Sequence, residues 1–186
     1  MTSLLLPTDA HLSFFRPALA HRQAFFRMLR DFKDAGERHW QDSVTPWSYK
    51  YWLRLMERHA QGLDLGPENT PYEVYYLMDD EQTVLVGVFT LRMSLTPKLM
   101  VEGGHIGYSI TPSLRRRGYA TYGLAQMLPI SAAHGIYHVL VTCDDANTAS
   151  ARVIERNGGA LENILPSPFR PGVPVRRYWI DLPRPQ

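Results

Sequence analysis

The sequence predicts a mixed α/β fold, with a central β-sheet of about six or seven strands flanked by about four helices. Three observations lead there. Runs rich in Val, Ile, Tyr and Phe recur at 72–78, 83–91, 104–110 and 136–143. Apolar residues at helical spacing occupy the first third of the chain. A strand–helix–strand order at 104–110, 116–134 and 136–143 then reads as a crossover within one sheet.

Taken in order, 11–15 (HLSFF) predicts a first strand, and Pro17 suits the opening of a helix over 17–34 carrying Leu19, Phe25, Phe26 and Leu29. Thr45-Pro46 predicts the start of a second helix with an apolar stripe of Trp47, Tyr51, Trp52, Leu55 and Met56. The Gly/Pro/Asn-rich stretch 62–70 is a loop, and 79–82 (DDEQ) joins two strands as a hairpin. A loop around Thr96-Pro97 leads to the strand at 104–110, which Thr111-Pro112 stops. Pro129 is expected to kink or end the 116–134 helix. A short helix at 147–157, with Ala149, Val153 and Ile154 on one side, closes at Gly158-Gly159, and strands follow at about 160–165 and 174–182.

At 186 residues, 45% hydrophobic and 20% charged, the chain suits one globular domain, 1–186, with a sizeable core. A net charge of +2 argues against bulk binding to nucleic acid or a membrane surface. One cysteine, Cys143, permits no internal disulfide and points to a reducing, cytoplasmic setting. The N-terminal MTSLLLPTDAHLSFF has neither a basic flank nor a long apolar run, so no signal peptide or membrane anchor is expected.

The informative stretch is 104–121, GHIGYSITPSLRRRGYAT: a strand, a stop, three arginines, Gly118, the small Ala120, then a helix. Free N–H groups and the positive end of the dipole project from a helix start. Gly118 lets backbone approach an anion closely, and the arginines add charge and paired donors. The arrangement suits a pyrophosphate.

Here the sequence resembles the GNAT superfamily of acyl-CoA N-acyltransferases. Its Gln/Arg-x-x-Gly-x-Gly/Ala loop is matched by Arg115-Arg116-Arg117-Gly118-Tyr119-Ala120, with Thr121 following. A second block, VTCDDANTASARVIERNGG, resembles the superfamily's next strand and Asn-x-x-Ala/Ser helix, with Asn147 and Ser150 at the marked positions. The resemblance implies acetyl-CoA as cosubstrate, its pantetheine arm lying in a V-shaped splay between the 104–110 and 136–143 strands. Backbone groups near Tyr108, Ser109 and Ile110 would hold that arm, and one N–H would polarise the thioester carbonyl. The implied reaction is acetyl transfer to a primary amine by direct attack. The acceptor would be a small molecule or peptide, and a homodimer is compatible with the family. A non-catalytic acyl-CoA-binding domain is the alternative reading.

Many members place a tyrosine acid seven positions after the Asn, where this chain has Ile154. A thiolate with a thiol pKa near 8.5 can leave unassisted. A base matters more: a lysine-like amine is about 4.6 kcal/mol short of its neutral form at pH 7, an α-amine only about 1 kcal/mol. The candidates near the central strand are Glu102, His105 and Tyr108, of which His105 and Glu102 are put forward as catalytic. His105 as base would give a rate rising through an apparent pKa near 6–7; the alternative is a buried structural histidine. Asn147 could equally be a helix N-cap. Trp40, Trp47, Tyr51 and Trp52 either line an acceptor pocket or pack the second helix. His134 and His138 are separated by Gly135 and a change of element, so no metal pair is expected.

Overall fold

The computed structural model describes residues 11–66 and 68–184. The expectation about a leader therefore falls largely on residues 1–10, outside the described ones. Alternating apolar residues build an antiparallel sheet from β1 (Leu12–Phe15), β2 (Tyr72–Asp79), β3 (Leu85–Arg92) and β4 (Ile106–Ile110), in that spatial order. A second antiparallel sheet has the order β5-β7-β6, from β5 (His138–Asp144), β6 (Ala160–Pro166) and β7 (Pro174–Asp181). The central sheet expected to hold about six or seven strands is thus seven strands divided between two sheets, with β4 and β5 as facing edges.

Strand alternation gives the first sheet two apolar faces. Val74, Tyr76, Met78 and Val88 pack under α1 (Arg22–Asp34) and α2 (Tyr49–Ala60). Leu77, Phe89 and Leu91 face the other way, against α4 (Tyr119–Ala133) and α5 (Thr148–Arg156). In α1 the buried stripe is Ala24, Phe25, Met28 and Phe32, whereas Leu19, expected in that stripe from the sequence, is exposed in a one-turn 3-10 helix before it. Burying a side chain such as Phe25 is worth about 1.5–3 kcal/mol.

Five local expectations are corrected. The second helix opens at Tyr49 rather than Thr45, because the Ser48 N–H closes a turn on the Thr45 carbonyl at 3.1 Å. Its buried stripe is Tyr49, Trp52 and Met56, leaving Trp47 94% exposed and Tyr51 exposed. The presumed loop at Thr96-Pro97 is a short helix, α3 (Pro97–Val101), whose N-cap Thr96 Oγ1 accepts the Leu99 N–H. Pro129 does not end α4: it lies on the exposed side of the helix, as does Ala125, whose carbonyl the missing N–H would have bonded. In α5 the buried residues are Ala151 and Ile154, with Ala149 exposed.

Candidate active site

β4 and β5 touch at a vertex and part beyond it. At the vertex the His105 N–H donates to the Leu140 carbonyl at 2.7 Å, and the Leu140 N–H donates to His105 Nδ1 at 2.9 Å. The Gly103 N–H reaches Thr142 Oγ1 at 2.9 Å. Gly104, at φ +61°, lies so close to the Leu140 backbone that a Cβ would collide with its carbonyl. Past His105 the outer edge of β4 has no strand partner among the described residues. The Thr111 N–H bonds to the Val86 carbonyl and the Arg92 N–H to the His105 carbonyl, so odd-numbered β4 residues bond to β3. The N–H groups of Tyr108 and Ile110 consequently turn towards the opening, while Ser109 has its backbone tied to β3.

At the wide end lies the loop before α4. Arg116 and Gly118 both take positive φ, +63° and +83°, which curls the chain into a concavity. Among the described residues, none of the six N–H groups from Arg116 to Thr121 meets an acceptor. A Cβ on Gly118 would project into open space. Arg117, Gly118 and Tyr119 border a cavity of about 300 Å³ completed by His11, Leu12 and Tyr122. Arg116 and Arg117 are exposed, but Arg115 is not a free cation. Its guanidinium donates to both oxygens of Glu37 at 2.6 and 2.7 Å, and its Nε donates to the Ile110 carbonyl at 3.1 Å. That bond holds the Glu37 carboxyl below its ordinary range.

Neighbouring side chains on β4 point to opposite faces. Tyr108 stacks on Phe89, on the α4–α5 side, and its hydroxyl lies 2.8 Å from Ser150 Oγ. Burial pushes this phenol up to about 12, so it stays protonated. Ser109 shares the other face with Val88, and its Oγ lies 2.9 Å from His39 Nε2, in the loop between α1 and α2. His39 is 5% exposed, and its Nδ1 accepts the Gln41 N–H at 3.3 Å. Nε2 therefore carries the proton and donates to Ser109. Burial pulls His39 down to about 4, partly offset by the Asp42 carboxylate, which accepts the His39 N–H.

A family model for the acetyltransferase (GNAT) domain matches residues 12–160. The chain belongs to this GNAT family. No curated protein sequence matches it. Solved structures share its fold at low identity. The ribosomal L7/L12 alpha-N-protein acetyltransferase RimL, in complex with coenzyme A, superposes with a TM-score of 0.70 at 18% identity, over 95% of this chain and 97% of that one. The microcin C7 self-immunity acetyltransferase MccE, in complex with acetyl-CoA and AMP, gives 0.67 at 14% identity, over 94% of each chain. A Salmonella typhimurium acetyltransferase that modifies the N-terminal serine of L7/L12 gives 0.65 at 17%, over 95% and 98%.

Within this GNAT domain, the residues singled out from sequence divide into those at the opening and those engaged elsewhere. Tyr108 and Ile110 turn their N–H groups to the opening, Ser150 meets the Tyr108 hydroxyl and the 116–121 amides lie at the wide end, whereas Ser109 has its backbone on β3 and its hydroxyl against His39. Asn147 is the N-cap of α5, its Oδ1 accepting the Ser150 N–H at 3.0 Å, so it shapes the turn that presents Ser150. His105 and Glu102 have their acceptor atoms occupied. Burial, the nearby His138 and Arg92 pull His105 down to about 4, while Glu102 bonds to Ser167 Oγ and to Arg170 at 2.6 Å. Ile154 is fully buried on the inner face of α5, and burial raises the Cys143 thiol. Of the four aromatics, Trp52 is core; Trp40, Trp47 and Tyr51 are exposed, and the Trp40 ring lies beside His39 at 5.9 Å.

Sequence reasoning missed His39. It sits in a polar loop with no motif around it, and only the return of that loop to β4 reveals its partner. His134 and His138 meet Glu73 and Asp181 respectively, and no group of three metal-ligating side chains occurs among the described residues. No helix among the described residues is long and apolar enough to cross a membrane.

Proposed function

We propose that this GNAT domain is an acetyl-CoA-dependent N-acetyltransferase acting on a primary amine of a small molecule or peptide. One observation carries the reading: six consecutive N–H groups, Arg116 to Thr121, without an acceptor among the described residues, open beside the outer edge of β4. Such a concavity at a helix start suits a pyrophosphate, with Arg116 and Arg117 as exposed cations at its rim. The Tyr108 and Ile110 N–H groups lie along the path from that cradle into the splay, where one would stabilise charge developing on the thioester oxygen. Acetyl-CoA supplies the activated acyl group. The chain supplies positioning, and the Tyr108–Ser150 hydroxyl pair offers a proton to the departing thiolate on the α5 side.

The test is thiol release from acetyl-CoA in the presence of a mixed amine library, with products identified by mass spectrometry. Acetylated amines that accumulate with repeated turnover are expected. Saturable acetyl-CoA binding without any product would instead make the protein an acyl-CoA-binding domain.

A further inference from the structure

We infer that Ser109 is the residue that receives the acceptor amine, and that His39 is its positioning partner. The inference rests on the proposed acetyltransferase reading. It follows from the alternation of β4, which splits the two hydroxyls of Tyr108 and Ser109 between opposite faces of one strand. Tyr108 is committed to Ser150 and to the helices that border the amide cradle. If acetyl-CoA occupies that side, the amine reaches the thioester carbon from the other, where Ser109 stands under the loop between α1 and α2.

On that side Ser109 is half-buried and His39 is buried, so an incoming group meets the hydroxyl first. Hydrogen-bond directions then fix what Ser109 can do. Gln41 N–H donates to His39 Nδ1, which leaves the Nε2 proton for Ser109 Oγ. Ser109 Oγ thus accepts one bond from His39 and keeps a lone pair for an N–H of the amine. That bond aims the nitrogen lone pair at the thioester carbon. On attack the C–N bond forms and the C–S bond breaks; the nitrogen loses its proton to solvent, and the sulfur leaves with the electron pair.

A neutral His39 suits this role, because an imidazolium would repel any ammonium form of the substrate. The charged groups around it are the Asp42 carboxylate on its own loop and the Arg115–Glu37 pair, whose guanidinium lies over the same Phe32 ring that His39 packs against. Arg115 engages both Glu37 oxygens, and Asp42 accepts the backbone N–H of His39 rather than a ring proton. The acid limb of kcat/KM should therefore follow the pKa of whichever amine is used, not an enzyme group.

The experiment uses the full chain, acetyl-CoA and the amines the library screen selects, with acetyl-CoA binding followed separately by thermal shift. Ser109→Ala should lower kcat/KM for the amine by about 10–100-fold, the loss of one positioned hydrogen bond to a polar group, with acetyl-CoA affinity unchanged. Ser109→Thr should recover most of the rate. His39→Gln, which keeps an N–H donor, should stay near wild type, while His39→Leu should match Ser109→Ala, and the double variant should be no worse than either. A folded Ser109→Ala protein within about 2-fold of wild type overturns the assignment while leaving the acetyltransferase reading intact. So does an acid limb at one fixed pH for amines of different pKa. Absence of turnover by wild type on every amine overturns the parent reading instead.

Discussion

His105 and Leu140 hold each other by two reciprocal hydrogen bonds, backbone N–H to carbonyl at 2.7 Å and backbone N–H to ring nitrogen at 2.9 Å. The pair does for one residue what a strand ladder does along its whole length. A histidine so used has its Nδ1 lone pair occupied and cannot collect a proton from a substrate through that atom. His105→Ala should therefore cost stability, about 1–3 kcal/mol for an orphaned buried amide, and leave the pH dependence of the rate where it was. Urea denaturation and a pH–rate profile on the folded variant check the two halves. An acid limb near pH 6–7 that vanishes in the variant would restore the general-base role.

Acetyl-CoA should raise the melting temperature of the wild-type protein, and Gly118→Asp should abolish that rise. The left-handed backbone of Gly118 aims a new Cβ into open space, where the substitution also adds a negative charge facing the phosphates. Unchanged stabilisation by the ligand would show that the anion lies elsewhere.

Ile154→Ala should act on the core, not on chemistry. Its side chain is fully buried among Leu124, Val141 and Ala151, and truncation should cost about 2–5 kcal/mol in a denaturation experiment. Turnover per folded molecule should change little. A collapse of turnover at full folding would mean that this position serves the reaction after all.

Acid should destabilise the fold through two histidines. His39 and His105 both sit at about 4 when folded, against an ordinary 6.5, so at pH 7 each is neutral in both states. As pH falls through 6.5 the unfolded chain takes up protons that the folded chain refuses until about pH 4. The stability they confer is complete above pH 6.5 and drains away between there and pH 4. Denaturation midpoints at pH 7, 6, 5 and 4 measure this, and His39→Gln should flatten part of the slope.

Where local chemistry decides, the sequence was legible. The strands at 72–79, 85–92 and 138–144, the stop at Thr111-Pro112 and the glycine-opened helix all follow from short-range patterns. Trp47 and Tyr51 were placed in the wrong stripe because bulk and apolarity suggested burial, yet a helix starting at Tyr49 turns them outward. For the candidate site, the cradle was visible because it is contiguous. Long-range partners were not: Glu37 neutralises Arg115 from 78 positions away, and His39 reaches Ser109 from 70. No window of sequence contains either relationship.

The narrow end of the splay is made where three residues ahead of β4, Gly103 to His105, meet Leu140 and Thr142 of β5. Both sheets are complete within themselves, so nothing in their pairing dictates how far apart their edges stand. Gly104, with no side chain between it and the Leu140 backbone, sets the fulcrum. Any larger residue there would pry the jaws apart without unpairing a strand. The aperture offered to an acyl group is thus adjustable at one hinge point, independently of the fold that carries it.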